Sequence, residues 1–303
     1  MKFGQGDSTG VSAKLPPLDR DPLRSSAPFT RSGPEILLGA PVWGCAGWKG
    51  SLYPEKARAL DFLKHYAEAL PSIELNATFY GIPTAERLTK WAEQTPASFR
   101  FCPKVPRGVS HSSDIKTRLE VFDRFWKEFE MLGERWGLSF LQLPETFDTR
   151  GLSVLERILK HKPEERPLAV EFRHPSWFED HTLISEAKGL LEYYGASCVI
   201  SDTLAKRHSL HQSFLGKTVM VRFLGSENDA SDLPRLSEWT KRLEELTEIG
   251  VERVYFFVHQ PAEVHAAHTL ARFSDMILAT KALTLAKPVH LFSESQSALF
   301  ASP

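Results

Sequence analysis

The sequence has 303 residues and a mass of 34.2 kDa, which fits one large domain or two small ones. Its 37 Lys and Arg nearly balance its 38 Asp and Glu, and this disfavours a protein whose whole surface binds nucleic acid or anionic lipid. Hydrophobic residues make up 42% of the chain, which allows a large core and excludes a disordered or collagen-like protein.

The two ends of the sequence lack a sustained apolar period. We expect residues 1–35 to form a flexible arm and residues 286–303 a flexible tail, which leaves residues 36–285 for a single domain. The chain has no run of about 18 apolar residues that could span a membrane. It also has no apolar signal segment near Met1, and its three distant cysteines form no Cys-x-x-Cys pair. These features predict a cytoplasmic protein without a disulfide framework.

Short apolar runs alternate with amphipathic segments between these ends. In chain order, the candidate strands are Pro41–Cys45, Ser72–Thr78, Phe99–Val105, Ser139–Pro144, Leu168–Arg173, Ala196–Asp202, Thr218–Gly225 and Arg253–Gln260. Their starts lie roughly 20 to 40 residues apart, which is the size of a βα unit.

Helical periodicity fills most of the intervals between these runs. The segments with apolar residues at helical spacing are Glu55–Leu70, Asp114–Trp136, Leu152–Leu159, Leu183–Tyr194, Leu233–Leu246 and Ala262–Leu278. The interval between Asp202 and Thr218 has no clean helical pattern, so it predicts a loop or a degenerate helix. Eight βα repeats predict an α/β fold, a (β/α)₈ TIM barrel. A doubly wound open sheet is the alternative, disfavoured because the sequence has no Gly-x-Gly-x-x-Gly turn.

Alternation within the strands predicts which side chains face the barrel interior. In Leu168–Arg173, apolar residues alternate with small or charged ones, so Ala169, Glu171 and Arg173 share one face. The same parity recurs in five other runs. We expect the apolar face to pack on the helices and the other face to line the interior. Polar residues near the carboxyl ends would then meet at the barrel mouth, where the sites of TIM barrels lie.

The predicted mouth is polar. Its residues are Glu74, Asn76, Lys104, Gln142, Glu171, Arg173, Asp202, Arg222 and His259. Barrel interiors are usually filled by Val, Ile and Leu, so a ligand explains this set better than the alternative, a buried ionic network that only satisfies itself. Arg173 and Arg222 can bind a carboxylate or phosphate as forks, and Lys104 adds a point charge.

Three residues of the mouth are candidate catalytic groups. Glu74 is the candidate general base, with His259 or His174 as the partner acid. Glu171 is the third candidate, although it could instead orient Arg173, and Glu74 could instead form a salt bridge. The scattered acids and histidines have no diagnostic metal-ligand spacing, so no metal ligand or cofactor is assigned. Further residues in the loops after the strands could wall the pocket: Trp48, Tyr80, His111, His174 and Trp177.

At these residues the chain resembles a known family. The similar segments read "GCAGWKGSLYP", "IELNATFYGIP", "KWAEQTPASFRFCPKVPRGVSH", "LQLPETF", "VEFRHPSWF", "SDT", "VRFLG" and "VYFFVHQ". They resemble successive signatures of the YecE-like domain-of-unknown-function family 72, over about Val42 to Leu278. The resemblance implies a TIM barrel and no established activity. The segment "FVHQ" departs from the Asn-rich text that many members have there, which leaves the role of His259 open.

A second resemblance lies near the end of the sequence. Gln296, Leu299 and Phe300 resemble the Q-x-x-L-F peptides that dock on the bacterial sliding clamp. The leading hypothesis is an uncharacterised TIM-barrel enzyme or binder that takes an anionic ligand at its mouth. One alternative is a metal-dependent nucleic-acid-processing protein. Another is a non-catalytic sensor or scaffold that its tail recruits to the clamp.

Overall fold

A parallel sheet forms the centre of the computed structural model, which describes residues 12–20 and 33–292. In chain order, the strands are β1 (Glu35–Ala40), β2 (Ser72–Leu75), β3 (Arg100–Pro103), β4 (Ser139–Gln142), β5 (Leu168–Glu171), the short hairpin strands β6 (Phe178–Glu179) and β7 (Thr182–Leu183), then β8 (Ser197–Asp202), β9 (Thr218–Leu224), β10 (Arg253–His259) and the short β11 (Thr284–Leu285).

The sheet closes on itself. Its hydrogen-bonded order is β3-β2-β1-β10-β9-β8-β5-β4, and β11 pairs with β1 outside this path. The end strands β3 and β4 meet where bridges pair Phe101 with Trp136 and Lys104 with Phe140. The amide of Val105 also donates to the carbonyl of Phe140 at 2.8 Å. The predicted TIM barrel is therefore confirmed.

Helices follow most of the strands. They are α1 (Phe62–Ala69), α2 (Ala85–Glu93), α3 (Arg107–His111), α4 (Ile115–Phe129), α5 (Leu152–Leu159), α6 (Ser185–Tyr193), α7 (Asp229–Glu245) and α8 (Ala266–Leu278). The sequence predicted α5 with these bounds, and only a 3₁₀ segment, Leu204–Ser209, follows Asp202, as expected. The sequence analysis did not predict α2, a short helix capped by the Thr84 hydroxyl, which accepts from the amide of Arg87 at 3.3 Å.

The first strand was predicted in the wrong place. It runs over Glu35–Ala40, whereas Pro41–Cys45 forms the loop that follows it. The letters "EILLGA" form an apolar run, but this run directly follows the Ser- and Pro-rich arm and was not recognised as a strand. Since the carboxyl end of β1 lies at the mouth, the correction places Trp43 and Cys45 in a mouth loop.

The predicted alternation of the strands is confirmed for most of the barrel. One buried cluster fills the interior with Leu37, Cys102, Leu138, Phe140, Ala169, Val199, Met220, Tyr255 and Phe257. A larger cluster on the outer face joins the strands to the helices. Gly39 is needed inside, because a β-carbon there would lie 2.7 Å from the ring of Phe257. The interior core thus sits directly below the polar mouth.

Parts of the predicted arm and tail contact the barrel. Asp19 forms an ion pair with Lys188 at 3.0 Å and accepts from the Ser213 hydroxyl at 2.7 Å. At the other end, Val289 is buried, and the Lys287 amine donates to the carbonyl of Ala67 at 2.9 Å. Among residues 12–20 and 33–292, no helix is long and apolar enough to cross a membrane.

Candidate functional site

A buried network of two carboxylates and one guanidinium lies at the centre of the mouth. Arg222 of β9 donates to Glu74 from Nε at 3.0 Å and from Nη2 at 2.9 Å. Its Nη1 donates to Oε2 of Glu171 at 2.9 Å. Glu74 is the penultimate residue of β2 and Glu171 is the last residue of β5, so side chains from opposite sides of the barrel meet at Arg222. The sequence predicted that these three residues come together.

These contacts fix the ionisation of the network. Burial raises the pKa of Glu74, but Arg222 and His259 outweigh it and hold that pKa well below its ordinary value. Burial also opposes the charge on Glu171, yet Arg222 and Lys104 lower its pKa. Burial lowers the pKa of Arg222, and the two carboxylates more than reverse this effect. Glu74 is therefore ionised at neutral pH, which makes it a weak general base.

His259 and Asn76 complete the surroundings of Glu74. The ring Nε2 of His259 lies 3.0 Å from Oε2 of Glu74, and the amide of Asn76 donates to Oε1 at 2.7 Å. Glu74 is fully buried and His259 is 3% exposed. Both oxygens of Glu74 are thus bound by neighbouring side chains, an arrangement typical of a residue that holds others in position.

Lys104 occupies the other side of the network. Its amine donates to Oε1 of Gln142 at 2.8 Å, and the Gln142 amide donates to Oε2 of Glu171 at 2.9 Å. The amine also lies 4.4 Å from the centre of the Phe79 ring. Burial lowers the pKa of Lys104 to about 8, and the neighbouring Arg222 acts in the same direction.

Arg173 and His111 stand at the rim beside Lys104. The Nη2 of Arg173 donates to Glu145 at 2.5 Å, and Lys206 also pairs with Glu145. His111 contacts the Ser110 hydroxyl through Nδ1 at 2.7 Å. Burial lowers the pKa of His111, and the charges of Arg107, Lys104, Arg118 and Arg173 lower it further. The rim is therefore rich in cations.

The remaining loop residues of the prediction differ in exposure. Tyr80 is 82% exposed and packs edge-on against Phe79, so it stands at the surface of the rim. His174 accepts from the amide of Ser176 at 3.2 Å and caps a short 3₁₀ turn.

Two predicted wall residues lie in the core instead. Trp177 is fully buried against Phe147 and donates to its carbonyl at 2.7 Å. Trp48 is also fully buried, and its indole donates to the Glu263 carbonyl at 3.0 Å. These two tryptophans hold loops in place and do not wall the mouth.

Asp202 lies on the opposite face of its strand from the one predicted. Val199 belongs to the interior cluster, so the side chains of Ile200 and Asp202 point to the helix layer. There Asp202 accepts from the Trp239 indole at 2.8 Å and pairs with Arg235 at 2.8 Å. Asp202 is therefore not part of the Glu74 network.

The sequence missed a cavity of about 530 Å³ beside β1. It lies between the loops after β1 and β2 and is lined by Pro41, Val42, Trp43, Gly44, Cys45, Leu75, Asn76, Ala77 and Glu263. Oε2 of Glu263 is buried there without a hydrogen-bond partner. Burial raises the pKa of this carboxyl group. The sequence predicted a helix over this segment, but Glu263 lies in the 3₁₀ turn before α8, and helical periodicity did not indicate that its side chain faces a cavity.

Within the described part of the chain, no three His, Cys, Asp or Glu residues are grouped so that they could hold a metal ion. Gln296, Leu299 and Phe300, the residues of the clamp-like peptide, lie outside the described residues.

Comparison with known proteins agrees with this architecture. A family model described as "Protein of unknown function DUF72" matches residues 37–291. The chain belongs to this family. It is 29% identical to the UPF0759 protein YecE of Escherichia coli K12 over 260 residues, which cover 78% of this chain and 91% of YecE. It is 31% identical to the UPF0759 protein YunF of Bacillus subtilis over 150 residues, or 47% of this chain and 52% of YunF.

Two solved structures of DUF72 proteins share the fold. A DUF72 protein from Thermotoga maritima is 25% identical, with a TM-score of 0.65 over 80% of this chain and 99% of that protein. One from Enterococcus faecalis is 19% identical, with a TM-score of 0.66 over 83% and 100% of the two chains. Membership of DUF72 gives the barrel but no activity.

Proposed function

We propose that this DUF72 protein binds a small anionic ligand, bearing a phosphate or a carboxylate, at the rim of its barrel mouth. Lys104, Arg173 and His111 would contact the anion, while the Glu74–Arg222–Glu171 network holds the floor of the site. We also propose a cytoplasmic location, from the cysteine pattern of the sequence.

The observation that carries the proposal is the crowding of cations on one side of the mouth. The pKa of Lys104 is lowered first by burial, then by Arg222, and Arg173 acts in the same sense. Burial lowers the pKa of His111, and the charge of Arg107 lowers it further. One carboxylate, Glu145, contacts Arg173 there, and it also pairs with Lys206. An anion would relieve this mutual repulsion, and Arg173 can offer it a two-pronged contact.

The interior network supports the proposal by its rigidity. Arg222 directs three of its N–H groups to Glu74 and Glu171, so in this proposal it contributes charge rather than a direct contact. Gln142 ties Lys104 to Glu171 through two hydrogen bonds and thereby fixes the position of the amine. A cation held in place before binding loses little conformational entropy when the ligand arrives.

Titration calorimetry with inorganic phosphate and with small carboxylates tests the proposal. Removing one charge-assisted hydrogen bond costs roughly 1.5 to 3 kcal/mol, so Arg173→Ala is expected to raise Kd about 10-fold to 100-fold. Arg124→Ala is the matched control, because Arg124 is an exposed residue of α4 outside the mouth. Equal affinity in wild type and Arg173→Ala, or no binding by wild type, would refute the proposal.

A further inference from the structure

Lys104 is a buried cation whose direct partner is a neutral amide. Its side chain contacts the amide oxygen of Gln142 and the ring of Phe79, and the residue is 2% exposed. Across residues 12–20 and 33–292, no carboxylate oxygen forms an ion pair with this amine within 4.0 Å. Lysine is almost never fully buried without a paired acid. Glu171, which lies on the other side of Gln142, is engaged by Arg222 and Gln142 instead.

The backbone around Lys104 is fixed. Its amide donates to the carbonyl of Leu75 at 3.1 Å, and its carbonyl accepts from the Thr78 hydroxyl at 2.6 Å. The residue directly follows β3, at the mouth of the barrel. A reactive side chain is positioned more precisely when its backbone belongs to the rigid end of a strand than when it belongs to a free loop.

These surroundings favour the neutral amine. Burial and the nearby Arg222 lower the pKa of Lys104 to about 8. At pH 7 roughly one amine in ten would then be unprotonated, against roughly one in 2,500 for an ordinary lysine. The gain in nucleophilic amine is therefore on the order of 200-fold.

We propose that Lys104 is a nucleophile that forms a Schiff base with an aldehyde or ketone bearing a carboxylate or phosphate group. This inference rests on the proposed anion site: Arg173 and His111 would hold the anionic group while the amine of Lys104 reaches the carbonyl carbon. It adds a covalent step and a reactive group to the proposed binding site.

The step is balanced without any oxidant or metal. The unprotonated Nζ of Lys104 attacks the carbonyl carbon and forms a C–N bond, and the carbonyl oxygen takes up a proton. The resulting hydroxyl group leaves as water with a second proton, and the nitrogen lone pair completes the C=N bond. The two protons that water carries away are those that the amine loses, so the product is an imine and one water.

The test is reductive trapping on the full-length wild-type protein. The protein is incubated at pH 7 with pyruvate or with glyceraldehyde 3-phosphate in the presence of cyanoborohydride, and modified lysines are located by peptide mass mapping. Lys90 is the internal reference, because it is exposed and its ion pair with Glu86 raises its pKa. We expect Lys104 to be modified at least 10-fold faster than Lys90.

Methyl pyruvate is the matched control ligand, since it has nearly the same shape as pyruvate and no charge. We expect Lys104 to react at least 10-fold faster with pyruvate than with the ester. Lys104→Arg should abolish the adduct at that position, and circular dichroism shows whether this variant is folded. The wild-type comparison of Lys104 with Lys90 does not depend on the variant.

Two results would overturn the inference in distinguishable ways. If inorganic phosphate binds to the wild-type protein but Lys104 is modified no faster than Lys90, the nucleophile is wrong and the anion site stands. If Lys104 reacts equally with pyruvate and methyl pyruvate and phosphate does not bind, the anionic substrate class and the proposed function both fail.

Discussion

Arg222→Met should strongly destabilise the protein, because it leaves two buried carboxylates without their shared cation. The substitution removes three hydrogen bonds of 2.9 to 3.0 Å to Glu74 and Glu171. These residues are 0% and 2% exposed, so water cannot replace the guanidinium. Removing one partner of a buried ion pair typically costs about 3 to 5 kcal/mol in the free energy of unfolding. Met roughly fills the volume, so the loss of charge dominates.

The pH dependence separates this explanation from a simple packing defect. In wild type the folded-state pKa of Glu74 lies below its unfolded value, so the stability it adds is present above the unfolded pKa and is lost as pH falls through the folded pKa. Without Arg222, burial would raise the pKa values of both carboxyl groups. Stability added by groups with raised pKa is present at low pH and lost as pH rises. The difference in the free energy of unfolding between variant and wild type should therefore become smaller as the pH falls from 8 to 5.

Urea unfolding of both proteins across this pH range measures the effect, with Arg124→Met as the exposed control. A destabilisation below about 1 kcal/mol, or one that does not vary with pH, would show that the network does not carry the electrostatic role assigned to it.

Three further predictions concern residues outside this network. Asp202→Asn should lower the free energy of unfolding by about 3 kcal/mol, because it breaks the buried ion pair with Arg235. Calorimetry should show a Kd for phosphate within twofold of wild type. A large loss of phosphate binding would show that Asp202 contributes to the mouth site. Glu263→Gln should stabilise the protein, and urea unfolding should show a larger gain at higher pH. Burial raises the folded-state pKa of Glu263, so the stability that this carboxyl group contributes is lost as the pH rises. A difference from wild type that does not vary with pH would contradict this. Finally, if the tail docks on the sliding clamp, combined Leu299→Ala and Phe300→Ala should abolish binding of the full chain to purified clamp in surface plasmon resonance, and unchanged binding would refute that role.

The sequence allowed the barrel and much of its mouth to be predicted because strand alternation is a local signal. The polar residues of "IEL", "FLQ" and "VRF" follow the same parity, so Glu74, Gln142 and Arg222 were placed together correctly. The prediction is wrong for Asp202 of β8, whose side chain lies on the same face as Ile200 and points to the helices. A run of small and apolar residues such as "SCVISD" does not show which face is inside.

Other parts of the site could not be predicted because they depend on how loops fold over the barrel. Arg173 and Lys206 both pair with Glu145, although Glu145 and Lys206 lie 61 positions apart in the chain. Glu263 lies in the 3₁₀ turn at the start of a segment predicted as a helix, and helical periodicity does not show that its side chain lines the cavity. The sequence did not show which cation would form the alternative salt bridge with Glu74, and the structure selects Arg222.

The most direct measurement of the central claim is a crystal structure of the wild-type protein grown with inorganic phosphate. We predict an anion at the rim, with oxygens roughly 2.7 to 2.9 Å from Nζ of Lys104 and from the guanidinium of Arg173. Density for phosphate elsewhere on the protein, with this rim empty at saturating concentration, would contradict the proposed anion site.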